Sequence, residues 1–421
     1  MRIERFGHAG IEVGDLAAAE AFYGDLFGFE VVDRYPEDGE IILRVGKNGH
    51  LLLHSAAAEP GGAASDAGPG LNHAAFLLVE GHREMATVRR RLADLGIDFA
   101  SEDHDGDAAV YFRDPDGNLL ELYTAPGSTP SFASAAERLS AAGRFVSAIA
   151  RPIDRAIFEH AYHNAPAARV RAALHAHHNP DGGFGHALEP DVRAGASQPI
   201  HTLTALELLR QAGLRAPDVA HGCCGFLESV ADQAGSLPAL LPGALDHPAA
   251  AHWHGGFALL PSLAWTFGLV AELAWHDAGH PWFHRARDAC LHALDRFETH
   301  EAHQLLYLVR FAGTVLVGKR RDRELARRRQ ALSRAALFVS EPPVDRYGLT
   351  PLHYAPAPDA PMRGWFDDAL IESHLDDLLD AQQGDGGWPI RFEPASAAAA
   401  LEWRGRGTVE ALAVLRAYGR L

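Results

Sequence analysis

Cysteine is scarce in this chain: Cys223, Cys224 and Cys290 are the only three in 421 residues. Neighbouring cysteines rarely bridge each other and none of the three stands at metal-ligand spacing. No disulfide framework is therefore expected, and the chain reads as reduced and cytoplasmic. Lysine is nearly absent, while arginine, alanine and glycine abound; that bias reads as genomic rather than functional. Positive charge is in deficit. The formal net charge of −17 argues against nucleic acid as a partner and for a soluble protein. The one basic run, KRRDRELARRR at 319–329, contains Asp322 and Glu324 and reads as a solvated helix face. The opening MRIERFGHAG has the look of a charged strand and not of a secretory leader. Long apolar runs are also missing, with one exception, GGFALLPSLAWTFGLVAELAW at 255–275. That stretch is long enough to span a bilayer, but Pro261 and Glu272 interrupt it. It is read as a helix surrounded by other helices, and no membrane is expected.

The length suggests two or three domains with ample material for a core. The most informative stretch is AVYFRDPDGNLLELYTAP, 109–126. Its DPDG centre is a tight turn, in which Pro115 presets φ and Gly117 tolerates positive φ. Val110 and Phe112 before it, with Leu120 and Leu122 after it, predict a hairpin. Because side chains alternate along a strand, Leu119, Glu121 and Tyr123 share one side. A carboxylate there is ordinarily a solvated residue, but two histidines alter the reading. His8 opens a strand followed by a helix that Asp15 caps and that carries Leu16, Phe22, Tyr23 and Leu26. His73 again sits at the start of an apolar strand followed by a helix. The first 126 residues thus repeat strand–helix–strands, with one histidine on the first strand of each copy.

The segments HAGIEVGDL with FYGDLFGFEV, then NHAAF, then YFRDPDGNLLEL resemble the vicinal oxygen chelate superfamily, which includes glyoxalases, bleomycin-resistance proteins, extradiol dioxygenases and fosfomycin-resistance transferases. The resemblance implies two paired βαβββ modules curled into one cupped sheet, assigned to residues 1–127. It places His8, His73 and Glu121 at the three metal-ligand positions. Aligning GNLLELY over GHLLLHS sets Leu53 opposite Glu121, so no fourth protein ligand is expected. His54 is read as pointing away from the cup, beneath the helices. Two imidazoles and one carboxylate suit a divalent ion (Fe, Mn, Co, Ni or Zn) with open positions for a bidentate substrate. The stretch DHDGDAAVYFRDPDGN resembles extradiol dioxygenases in particular, and His104 and Tyr111 are the candidate acid/base groups. The alternative is a metal-free protein that sequesters a small molecule such as an antibiotic. Either way the partner is a small molecule, and a homodimer is compatible with both.

In PGSTPSFASAAERLS the β pattern stops, and from residue 134 helical periodicity takes over. Helices are predicted near 134–150, 152–163, 165–178, 200–213, 216–233, 257–276, 281–298, 300–317, 321–339, 364–382 and 406–419. DGGFGHALEP (181–190) matches DGGWPIRFEP (385–394) at an offset of 204, which Thr204 and Thr408 keep. QQGDGGW resembles the QxxxGxW motif of terpene cyclases through Gln382, Gly386 and Trp388. Residues 134–421 therefore resemble an α/α toroid of the terpenoid-cyclase and prenyltransferase class. The overall expectation is an α+β fold of paired modules followed by an all-α toroid. The acidic DxDD and DDxxD signatures are missing, and Asp367 and Asp368 fit ordinary helix surface. A binding or scaffolding role is expected in place of cyclase chemistry. Phe257, Trp265, Phe267 and Trp275 are spaced to line or fill inner helices. Glu189, Asp191 and Glu393 follow the two GG turns and either face the toroid's mouth or serve as loop caps. The histidines of this half, including His175, His177, His178, HWH at 252–254 and HDAGH at 276–280, show no HExxH-like spacing and read as helix-end residues.

Overall fold

The computed structural model describes residues 8–36, 39–45, 49–55, 74–78, 82–104, 107–123, 132, 134–342, 344 and 346–421, with backbone alone for His8, His104 and some neighbouring positions. The chain divides into two compact units, Met1–Ser131 and Phe132–Leu421.

In the first unit β1 (His8–Val13), α1 (Leu16–Phe27), β2 (Glu30–Tyr35), β3 (Glu40–Val45) and β4 (Gly49–Ser55) make one module. A second follows, with β5 (Ala74–Leu77), α2 (His82–Asp94), β6 (Phe99–His104), β7 (Asp107–Arg113) and β8 (Leu119–Tyr123). Each forms a four-stranded sheet of the same order, β1-β4-β3-β2 and β5-β8-β7-β6, with its first strand parallel to its last. Among the described residues the ladders make two sheets, not one continuous sheet. Helix α1 starts where the Asp15 carboxylate accepts from Ala17 N and Ala18 N, and it ends at Gly28 in the left-handed region. One apolar core unites the modules. The Phe27 ring lies 5.5 Å from Phe76 and 6.1 Å from Phe112, and Tyr23 donates to Asp114 at 3.1 Å. Burial and the Asp114 charge push the Tyr23 phenol well above its usual range.

The second unit is helical: α3 (Ala135–Ile149), α4 (Pro152–His163), α5 (Ala167–His175), α6 (Pro199–Gln211), α7 (Pro217–Val230), α8 (Leu263–Trp275), α9 (Pro281–Ala293), α10 (Ala302–Val315), α11 (Gly318–Leu332), α12 (Pro351–Tyr354), α13 (Asp368–Asp380) and α14 (Ala397–Ala417). Proline opens α4, α6, α7, α9 and α12, where its missing N–H costs nothing. Helix α14 begins nine residues before its predicted start. Ser396 caps it through Ala399 N, the alanine run propagates it, and Gly405 sits within it in close packing on Ala150. The apolar stretch at 255–275 splits into a short 3-10 turn and α8, which is buried on most of its faces. Helix α8 packs on α6 and α10, and α14 returns onto α3 and α4, so the end of the unit meets its beginning. Among the described residues no helix is long and apolar enough to cross a membrane.

Candidate functional site

The DPDG turn forms as its residues dictate. Gly117 has φ 86° and donates its N–H to Asp114 O at 3.0 Å. The Asp114 carboxylate collects Asp116 N, Asn118 N and Asn118 Nδ2, while Asp116 Oδ1 accepts from Gly14 N at 2.8 Å. The turn therefore fixes β8 against β7 and ties it to the end of β1. On β8, Leu120 and Leu122 are buried beneath the helices, whereas Leu119, Glu121 and Tyr123 are half-buried on the other face. Tyr111 stands directly across the ladder from Glu121, and its hydroxyl donates to Glu121 Oε1 at 2.9 Å. Beside this pair lies a pocket of about 750 Å³, lined by Phe22, Ala100, Tyr111, Arg113 and Leu119 among others.

The structure thus brings Glu121 and Tyr111 together. His73 lies outside the described residues; the described strand that follows it places Ala75 beside Glu121. The His8 backbone is the first residue of β1, paired with His50, and the His104 backbone pairs with Asp107. The side chains of both lie outside the description. Among the described residues no group of three or more His, Cys, Asp and Glu is placed to hold a metal. The carboxylate of Glu121, steadied by a phenol, is the kind of oxygen donor that a mixed imidazole–carboxylate site uses.

The expectation about β4 needs correction. In β1 the residue two after His8 is Gly10, which pairs with Leu52; in β5 the residue two after His73 pairs with Glu121. Leu52, not Leu53, is the counterpart of Glu121. Leu53 is fully buried in the core with Leu51. His54 consequently does not sit under the helices. It shares the face of Gly10, where a Cβ would come within 3.1 Å of its Nε2, and its Nδ1 lies 3.0 Å from Glu40 Oε1. Three successive leucines hid the parity of this strand, and only the pairing register reveals it. Leucine at position 52 still offers no fourth ligand.

In the helical unit the residues of QQGDGGW act as structural pins. Gln382 Nε2 donates to Arg138 O and Gly386 O, both at 3.0 Å, and Trp388 Nε1 donates to Leu378 O at 2.8 Å. Asp367 caps α13 and Asp368 pairs with Arg363, as ordinary surface residues do. Glu189 and Asp191 are buried, whereas Glu393 is exposed. Of the four aromatic residues expected inside, Phe267 is fully buried and Trp265 packs against the core. Phe257 is 51% exposed, and Trp275 lies under the guanidinium groups of Arg210 and Arg215. His276 pins a helix end, accepting from Ala216 N at 3.2 Å with Nε2 3.0 Å from Leu206 O; burial lowers its pKa.

Residues 5–122 match the model of the Glyoxalase/Bleomycin resistance protein/Dioxygenase superfamily. The N-terminal unit is a domain of this superfamily. A catechol-2,3-dioxygenase of Bacillus subtilis (strain 168) is 32% identical over 120 residues, 28% of this chain and 40% of the relative. Metapyrocatechase 2 of Cupriavidus necator is 32% identical over 150 residues, 35% of this chain and 42% of the relative. The chain therefore spans about two fifths of the length of these curated relatives. Among solved structures, a lactoylglutathione lyase from Agrobacterium tumefaciens is 26% identical, covers 30% of this chain and 96% of its own, and superposes with a TM-score of 0.25. The fosfomycin resistance protein FosX from Mesorhizobium loti is 21% identical, with 30% and 95% covered and a TM-score of 0.24.

Proposed function

We propose that the superfamily domain, residues 1–127, is a metal-dependent enzyme of the extradiol dioxygenase kind, acting on a small aromatic compound with two vicinal oxygens. His8, His73 and Glu121 would hold one divalent ion. The observation that carries this reading is the Tyr111–Glu121 hydrogen bond on the sheet face opposite the helices. The names of the two curated relatives support the substrate class. When bound, the metal supplies a Lewis acid able to take two vicinal oxygens at once. Tyr111 orients the Glu121 carboxylate and, with His104, is the group available to hold or pass a proton near the substrate. The pocket walls of Phe22, Ala100 and Leu119 give an aromatic ring an apolar bed. Residues 134–421 serve recognition or scaffolding as a ring of helices. The packing of α6, α8 and α10 in succession and the return of α14 onto α3 and α4 support that closed arrangement.

Metal content is the test. Full-length protein loaded anaerobically with Fe(II) is expected to retain about one ion per chain and to open a catechol ring in air. Glu121→Ala is expected to lose both metal and turnover while the helical unit stays folded. Equal metal content in wild type and variant removes the assignment of Glu121. A wild type that takes up no divalent ion, yet binds small aromatic compounds, points to the sequestering role instead.

A further inference from the structure

A second group of ionisable and aromatic side chains converges inside the helical unit, brought there by α6, α10 and α14 and by the loops that precede α6, α8 and α12. At its centre Glu189 is 6% exposed. Its backbone N–H donates to His201 Nδ1 at 2.8 Å, but its carboxylate has no hydrogen bond among the described residues, only the Arg406 guanidinium at 3.7 Å. Arg406 is itself committed to Glu410 at 2.8 Å, stands 3.7 Å from Glu207, and lies over the Trp403 ring. Glu207 receives Arg310 at 2.6 Å. Burial pushes the Glu189 carboxyl up to about 7 despite Arg406. Burial and the charges of Glu207, Glu189 and Glu301 raise the Tyr307 phenol.

Several buried polar atoms on these elements and loops are unsatisfied among the described residues. The Nε2 of His201, whose Nδ1 holds Glu189 N, has no hydrogen-bond partner among the described residues. Trp253 is 6% exposed, yet its Nε1 has no partner among the described residues, and Trp403 Nε1 has none among them either. Buried donors of this kind are rare, because each leaves a desolvation cost uncompensated. The aromatic rings join up on both sides. Trp253, Trp265 and Tyr307 follow one another at 6.1 and 5.9 Å, and Tyr347, Phe392 and Trp403 at 5.2 and 5.4 Å. At the outer end Glu301 Oε1 lies 2.6 Å from His303 Nδ1, and His303 Nε2 lies 2.8 Å from the Tyr347 hydroxyl.

We infer that this interior is a second ligand site, built for a neutral, hydroxyl-rich ring of the saccharide class, with its hydroxyls on Glu189, Tyr307 and the indole N–H groups and its C–H faces against the aromatic rings. The charges select a neutral ligand. Both arginines already face carboxylates, so an anion would meet no free cation among the described residues, and a cation would have to displace Arg406 from Glu189. Donors outnumber free acceptors, which suits ligand oxygens, and aromatic faces suit the apolar side of a sugar ring. The inference gives the recognition role of the helical unit a ligand class and stands apart from the metal chemistry of the first unit.

Saturation-transfer NMR and calorimetry on the full-length chain test it, with and without chelator so that loss of metal leaves the readout intact. The probes are maltose, cellobiose, lactose and myo-inositol, with glucuronate, glucose 6-phosphate and geranyl diphosphate as charged competitors. At least one neutral probe is expected to bind. Tyr307→Phe and Glu189→Gln are each expected to weaken it about tenfold or more, the scale of a lost buried hydrogen bond. Tyr162→Phe, on α4 under Arg416, is expected to change nothing. Trp403→Phe, which keeps a ring and removes the N–H, replaces any variant whose melting curve shows it unfolded. The inference is overturned if no neutral probe binds, if only the charged probes bind, or if binding is indifferent to all of these substitutions.

Discussion

His201 and Glu189 meet through one hydrogen bond and respond to pH in opposite senses. The His201 ring is fully buried, accepts at Nδ1 from Glu189 N, and is pushed down to about 3 by burial and neighbouring positive charge. The unfolded chain binds that proton near 6.5, so the stability tied to His201 is complete above 6.5 and drains away as pH falls towards 3. Glu189, raised from 4.5 to about 7, does the reverse: its folded form prefers the proton, and stability is lost as pH rises between those values. Chemical denaturation of wild type and Glu189→Gln between pH 4.5 and 7 should therefore show the wild type losing ground steadily, by an amount on the order of a few kcal/mol. A difference that does not vary with pH contradicts the protonated carboxyl. At the first site, Tyr111→Phe removes the hydroxyl that holds Glu121 Oε1. Equilibrium dialysis is expected to show metal affinity reduced by about 10-fold or more, in the range of other supporting groups around metal ligands, with the fold intact.

At the scale of elements, one turn recurs three times. In the first copy Asp181 Oδ1 accepts from Gly183 N, and Phe184 N donates to Thr202 Oγ1, whose hydroxyl donates to Gln198 O. In the last, Asp385, Gly387, Trp388, Thr408 and Arg404 repeat every bond. The threonine matched to Thr408 by geometry is thus Thr202, not Thr204 as a fixed offset suggested, because the bond from Phe184 spans 18 residues and that from Trp388 spans 20. A third copy, Asp232 with Ser236, Leu237 and Thr266, makes the same bonds without a GG pair or an aromatic residue, and was illegible in sequence for that reason. What composition did reveal were the signals with strong local chemistry: the DPDG hairpin, the Asp15 cap and the two GG turns. Face parity in β4 depended on partners distant in sequence, and the group around Glu189 depended on helices that only the tertiary fold brings together. The turns also make a quantitative contrast. Gly182 and Gly386 have φ of 86° and 93°, and a Cβ on either would run into backbone, Gly222 O or Ala141 O. Gly386→Ala is expected to cost about 3 kcal/mol or more, since backbone strain and a backbone clash combine. Gly117→Ala has nearly the same φ, 86°, with nothing within 4 Å among the described residues, and is expected to cost only about 1 kcal/mol. Equal costs in urea unfolding would show that the close approach is irrelevant.

For the whole molecule, each unit has its own apolar core. Expressed separately, residues 1–127 and 134–421 are expected to unfold cooperatively, and chelator should lower the melting temperature of the first fragment alone. A single shared transition in the full chain, absent from both fragments, would mean that neither is autonomous. The helical unit carries a further condition in its closure. The face of α3 that holds Ala141, Phe145 and Val146 is covered by the turn at Gly386 and Gly387 and by Arg404 lying 4.6 Å over the Phe145 ring, and Gln382 reaches back 244 residues to Arg138. On a ribosome adding about 5–20 residues per second, α3 leaves the exit tunnel on the order of tens of seconds before its cover exists. The first unit can finish folding during that wait, whereas the second cannot cover this face of α3 until the turn at Gly386 and Gly387 has emerged. A chain cut short before Gly386 would then carry a complete first unit and a helical unit whose Ala141, Phe145 and Val146 face lies bare, a product fit for the protease and not for partial service.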